Sequence, residues 1–131
     1  TEEAFDFYKT VFNTDYEHDI MRFGDVPPSS EMPPMPDSVK NLVMHAQLPI
    51  LGGFQLMGSD APAEMGFQLV KGNNSYIMLQ PDSREETINL FNSLKQDGEV
   101  EQDLQEMFWG DFYGALTDKF GVKWMFNCST K

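Results

Sequence analysis

Gln105-Glu106-Met107-Phe108-Trp109-Gly110, followed by Gly114-Ala115-Leu116-Thr117-Asp118-Lys119-Phe120-Gly121-Val122-Lys123-Trp124-Met125-Phe126-Asn127, decides how this chain folds. Asp118-Lys119-Phe120-Gly121 is a turn signal, because Asp bonds its own backbone and Gly takes positive φ without steric cost. It joins two runs that read as strands, residues 111–117 and 122–128, so the segment is a β-hairpin. Trp124 and Phe126 alternate with Met125 along it. They read as core on the face away from Met125.

Working back from the hairpin, residues 1–12 have helical spacing, with Ala4, Tyr8 and Val11 on one stripe and Phe5 and Phe12 beside it. Residues 15–23 alternate enough to be a strand. Residues 24–37 hold five of the eight prolines, which cannot donate to a sheet ladder, so this stretch is a loop. It is either a flap, with Met32 and Met35 packing on something, or disorder. Residues 41–48 and 54–58 are strands joined at Gly52-Gly53. A loop from residue 59 returns to strand at 67–70, and residues 75–80 form another strand. Residues 82–96 are a helix, with Ser83 and Glu86 as a capping box, Ile88, Phe91 and Leu94 as the buried stripe, and Gly98 after its end. Residues 99–104 are a short strand that leads into the terminal loop and hairpin.

The order α-β-β-β, then β-α-β-β-β, repeats one supersecondary unit. With the Gln105–Trp109 run and the Asp118–Gly121 hairpin, it resembles the PhnB-like branch of the glyoxalase/bleomycin resistance/dioxygenase (vicinal oxygen chelate) superfamily. The resemblance implies an α+β fold of paired βαβββ modules forming a single domain over residues 1–131. Its halves would be 1–60 and 66–131, two curved sheets enclosing a cleft. Relatives carry a short strand and a polar turn before the first helix, so roughly a dozen residues are expected to precede Thr1. The resemblance also implies a homodimer, and the Met32–Met35 loop has apolar surface for a second copy to cover.

Composition narrows the function. Hydrophobic residues make up 40% of the 131, with 11 Phe and 9 Met, enough for a globular core. No run approaches the roughly 18 apolar residues of a membrane span, and no signal peptide is visible. Asp and Glu number 21 against 9 Lys and Arg, a net charge of −12. Nucleic acid and anionic membrane surfaces would be repelled, so neither is expected as a partner. A single cysteine, Cys128, cannot form an internal disulfide and fits a cytoplasmic location.

The superfamily resemblance implies where chemistry would sit. Metal-binding members supply His, Glu or Gln ligands from four strands, and the positions that match here hold Gln55, Tyr76 and Met125. A phenol with a pKa of about 10 is a feeble ligand, and a thioether does not suit a hard divalent ion. The usual metal quartet is therefore not expected, no cofactor is predicted, and a divalent metal stays open only as a minor alternative. His18, in Tyr16-Glu17-His18-Asp19, reads as an exposed polar edge.

His45, in Val43-Met44-His45-Ala46, occupies a place where relatives carry His-Ala. A plain two-residue turn would pair Ile50 with Gln55 and set His45 on the opposite face. A bulge at Pro49-Ile50 returns it to the Gln55 face, and this is the expected arrangement. His45 is then either a structural histidine or a general base.

Glu106 is the second candidate acid/base residue, against a reading in which its loop packs Phe108 and Trp109 on the core. Trp109, Met57, Met78, Tyr76 and Met125, with Gln55, would line a ligand site of adaptable apolar character, although Met is also common core filler. No phosphate loop, nucleophile elbow or paired Cys motif appears. Relatives are often labelled demethylubiquinone methyltransferase-like, but the chain lacks a glycine-rich Rossmann-type unit for a methyl donor. Two functions follow. The first is a non-catalytic small-molecule binder. The alternative is a metal-dependent lyase, isomerase or dioxygenase acting on a small oxygenated or phosphonate-like substrate.

Overall fold

Helix α1 (Glu2–Val11) opens with Glu2 and Glu3 and closes with Lys9, the charge order that the helix dipole favours. The computed structural model describes residues 1–27 and 35–130. The chain divides into two compact units, Thr1–Lys71 and Gly72–Lys131. Each packs its longest helix on one sheet, giving the α+β architecture and the βαβββ strand pattern expected from the sequence.

In the first unit the strands are β1 (Met21–Arg22), β2 (Val43–Pro49) and β3 (Gln55–Gly58), in the order β1-β2-β3, with both pairings antiparallel. Helix α1 packs on β2 and buries Phe5 and Tyr8. Ala46 and Leu48 are buried on the helix side. Gly58 belongs to the same side, where a Cβ would stand 2.8 Å from the Phe5 ring. Because strand side chains alternate, His45, Gln47, Pro49, Gln55 and Met57 occupy the other face, together with Met21, the partner of His45. Arg22 holds the entry to the sheet, donating to both Glu2 carboxylate oxygens (3.0 and 2.8 Å) and to the Asn41 carbonyl (2.8 Å).

The β2–β3 turn corrects the expected geometry. Pro49 pairs with Gln55, Leu48 with Leu56 and Gln47 with Met57. The Ile50 N–H donates to the Phe54 carbonyl at 2.8 Å. The connection is therefore a three-residue loop, Leu51-Gly52-Gly53, with φ of 70° and 81° at the two glycines. It is neither a two-residue turn nor a bulge at Pro49-Ile50. The extra residue sits in the turn, and positive φ at two successive positions needs glycine there. Pro49 fits a regular ladder because it neighbours the hydrogen-bonded 50–54 pair, at a position where β3 asks for no N–H. His45 nevertheless shares the Gln55 face.

Other boundaries shift. The strand expected over residues 15–23 contracts to Met21–Arg22, because Asp15-Tyr16-Glu17-His18-Asp19 offers no apolar face to bury. Instead Asp15 accepts from the Tyr16 N–H (2.8 Å) and Tyr16 donates to Asp6 (3.1 Å). Residues 67–70 form no strand, and Phe67, Leu69 and Val70 are exposed. A one-turn helix, α2 (Asp37–Lys40), buries Val39 at the end of the Pro-rich stretch. Residues 28–34, which include Met32 of the suggested flap, lie outside the described residues.

In the second unit, β4 (Ile77–Leu79), β5 (Glu99–Glu106), β6 (Phe112–Thr117) and β7 (Lys123–Cys128) form a sheet in the order β4-β7-β6-β5. Only the β4–β7 pair is parallel. Helix α3 (Arg84–Leu94) is capped by Ser83, whose Oγ accepts from the Glu86 N–H at 3.1 Å. Its buried stripe is Thr87, Leu90, Phe91 and Leu94, while Ile88 is exposed. The expected stripe was rotated because Thr87 is polar. Its hydroxyl bonds the Ser83 carbonyl at 2.7 Å, which lets it be buried without an unsatisfied group.

On the helix side of this sheet, Leu79, Leu116, Trp124, Phe126 and Cys128 are buried, and Phe91 meets Phe126 edge-on at 5.3 Å. The 118–121 turn forms as read. Asp118 Oδ1 accepts from the N–H groups of Phe120 (2.9 Å) and Val122 (3.0 Å), and Gly121 has φ of 87°.

Candidate functional site

A polar chain crosses the helix-free face of the first sheet. His45 Nε2 lies 3.3 Å from Gln47 Oε1, and Gln47 Nε2 donates to Gln55 Oε1 at 3.3 Å. Met21 and Met57 flank it, both exposed. The register explains the alignment, since Gln47 neighbours Met57 across the ladder, with Gln55 and His45 one alternation away on either side. Shallow depressions elsewhere in this unit are lined by residues 15–20 with Arg22, and by Thr1, Glu2, Glu3, Asp6, residues 41–43 and Asp60. Neither includes His45 or Gln55. His18 is exposed and lines the first, as its polar segment suggested.

The helix-free face of the second sheet carries Tyr76, Met78, Tyr113, Ala115, Thr117, Lys123, Met125 and Asn127. Met78 pairs with Met125, and Met125 with Ala115. At one end lies a network centred on Glu101. This carboxylate accepts from the Tyr76 hydroxyl (2.6 Å) and the Thr117 hydroxyl (2.9 Å) and forms an ion pair with Lys123. The Lys123 ammonium also stands 5.4 Å from the Tyr76 ring centroid, within cation–π range.

Glu101 reaches this face because β5 is irregular. Val100 pairs with Leu116 and Gln102 with Ala115, which leaves Glu101 as the extra residue of a bulge. The hydrogen bond from Lys123, then that from Tyr76, pulls the Glu101 pKa down from 4.5 to about 2. The same bonds raise the pKa of Tyr76 and of Lys123.

Trp109 stands edge-on to Tyr113 at 6.0 Å and to Phe108 at 5.0 Å, and is about half exposed. Phe108 is 97% exposed and so does not pack on the core. Glu106 pairs with Phe112 at the end of β5. It forms an ion pair with Arg84 of α3 at 3.5 Å. This contact lies on the helix side, so Glu106 does not join the face that carries Tyr76 and Met125.

The superfamily resemblance implies metal-ligand positions at Gln55, Tyr76 and Met125. The Gln55 amide oxygen is engaged by Gln47, the Tyr76 hydroxyl donates to Glu101, and Met125 presents a soft thioether. Among the described residues no three of His, Cys, Asp and Glu gather as a metal site.

The sequence named Gln55, Met57, Tyr76, Met78, Trp109, Met125, His45 and Glu106, and did not name Gln47, which bonds Gln55, or Glu101, Thr117 and Lys123, which join Tyr76 in one network. Strand parity with Gln55 could have found Gln47. The bulge that turns Glu101 onto the helix-free face left no mark in residues 99–104, which read only as a short strand.

Comparison with known proteins agrees with this architecture. Residues 1–126 match the model of the Glyoxalase/Bleomycin resistance protein/Dioxygenase superfamily. The chain belongs to that superfamily. It is 30% identical over 131 residues to Protein YjdN of Escherichia coli (strain K12), covering 95% of this chain and 85% of that protein. The crystal structure of PA1353 from Pseudomonas aeruginosa superposes with a TM-score of 0.79 at 34% identity, covering 98% of this chain and 89% of that one. A Bacillus cereus PhnB protein, whose name includes 3-demethylubiquinone-9 3-methyltransferase, shares the fold. Its TM-score is 0.70 at 24% identity, with 97% and 89% of the two chains covered.

Proposed function

We propose that this PhnB-like member of the superfamily is a small-molecule-binding protein that works without the superfamily's usual metal quartet. The observation that carries the reading is the engagement of Tyr76. Its hydroxyl is committed to Glu101, and the cation beside it is the Lys123 ammonium. Met78, Met125, Tyr113 and Trp109 on one helix-free face, and Met57 and Met21 on the other, are surfaces that adapt to apolar or aromatic ligands. The protein would act in the cytoplasm as a homodimer. Among the described residues no helix is long and apolar enough to cross a membrane.

The alternative, a metal-dependent lyase, isomerase or dioxygenase, rests on His45 and Gln55 sharing one face. A thermal-shift screen of uncharged small molecules, run in EDTA and again with added Mn²⁺, separates the two. A ligand at 100 times its Kd stabilises by about 2.7 kcal/mol. The binder reading expects shifts that persist in EDTA and shrink in Met78→Glu. Shifts that require Mn²⁺ would support the enzyme instead.

A further inference from the structure

We infer that Gln47 is a positioning residue that fixes the tautomer of His45, giving the His45–Gln47–Gln55 strip a donor–acceptor polarity suited to an uncharged, amide-like ligand. The inference rests on the small-molecule reading above and specifies the ligand class for this face.

The chain of bonds has a direction. Gln47 Nε2 donates to Gln55 Oε1, which turns Gln47 Oε1 toward His45. An amide oxygen only accepts, so the proton of a neutral imidazole must lie on Nε2. The ring's Nδ1 lone pair is then its outward acceptor. At the other end, Gln55 accepts through its oxygen, and among the described residues its NH₂ group is left to donate. Reversing both amides would place the proton on Nδ1, so the direction of the Gln47–Gln55 bond and the tautomer of His45 are coupled.

Charge narrows the ligand further. Of the described residues on this face, Met21, Gln47, Pro49, Gln55 and Met57 carry no ionisable group, which leaves His45 as the one that does. A phosphonate or carboxylate would find no fixed cation here. A neutral ligand with a carbonyl for Gln55 and an N–H or O–H for His45 fits, its apolar part lying on the thioethers of Met21 and Met57.

The positioning arm needs no ligand. Imidazole ¹⁵N shifts of His45 in the free protein, at a pH where the ring is neutral, should report the Nε2–H form. Gln47→Leu should relax the ring toward the mixture of an unconstrained histidine. Gln47→Glu, whose carboxylate can still accept from Nε2–H, should restore the bias. A predominant Nδ1–H form, or shifts that ignore Gln47→Leu, would overturn the inference whether or not any ligand binds.

The ligand arm uses benzamide and benzoate as probes. Benzamide should perturb the side-chain amide signals of Gln47 and Gln55, more weakly in Gln47→Leu, while benzoate should not. Equal or stronger perturbation by benzoate, or none by either probe, would overturn the ligand class while leaving the tautomer result standing.

Discussion

Trp124 donates its indole N–H to Oδ2 of Asp118 at 2.9 Å, and both residues are buried. One carboxylate thus closes the β6–β7 turn through Oδ1 and ties it to the core through Oδ2. Asp118→Ala removes two backbone N–H bonds and the acceptor for Trp124, and should cost about 3 kcal/mol. Asp118→Asn keeps an oxygen for only one of these roles and should fall between. Urea unfolding of the three proteins measures this, and an alanine variant as stable as the parent would contradict the account.

Gly98 follows α3 where its backbone meets the end of β6. A Cβ there would stand 2.4 Å from the Thr117 carbonyl oxygen and 3.0 Å from the Asp118 Cα, both backbone atoms. Neither neighbour can rotate away, so Gly98→Ala should destabilise by about 3 kcal/mol. Gly72→Ala is the control, because its Cβ would meet only the Asn74 side-chain oxygen at 3.5 Å. Equal melting temperatures for the two variants would count against this packing.

Glu101 gives the second unit a pH dependence whose sign follows from its bonds to Lys123 and Tyr76. Its folded pKa is depressed from 4.5 to about 2. The unfolded chain therefore binds the proton first, and the network's contribution is complete above about pH 5. It declines as the pH falls through 4.5 and is gone below the folded value. The stability difference between the parent and Glu101→Gln should accordingly be constant near neutrality and shrink on acidification toward pH 2. A difference that grows on acidification would reverse the assignment.

The proposed homodimer predicts a sedimentation coefficient for two chains at micromolar concentration. Phe108, 97% exposed, is apolar surface that a second copy could cover. A monomer under these conditions would remove the dimer from the account.

Much of this fold was legible because local chemistry and tertiary packing agree in the second unit. Asp118 and Gly121 mark the turn, Ser83 marks the start of α3, and Trp124 and Phe126 alternate with Met125 as the buried and open faces require. The site was legible only where strand parity is regular. Gln55 and Met57 follow from alternation alone. His45 reached the right face through a three-residue turn instead of the expected bulge, since either device adds one residue.

Glu101 was hidden because a bulge depends on how β5 meets β6, which its own residues do not encode. Thr87 displaced Ile88 from the core because a hydroxyl bonded to the preceding turn behaves as buried filler. Residues 15–23 fell short of a strand because alternation without an apolar face gives nothing to bury.

The central claim is that an ammonium–carboxylate–phenol network stands where metal-binding relatives of this fold supply a ligand. The direct measurement is elemental analysis of the protein purified without chelator and dialysed against metal-free buffer. Divalent metal should be far below stoichiometric, and Tyr76→His should not by itself raise it, because Met125 remains a soft donor. A stoichiometric divalent metal in the parent protein, lost on Gln55→Ala, would contradict the account.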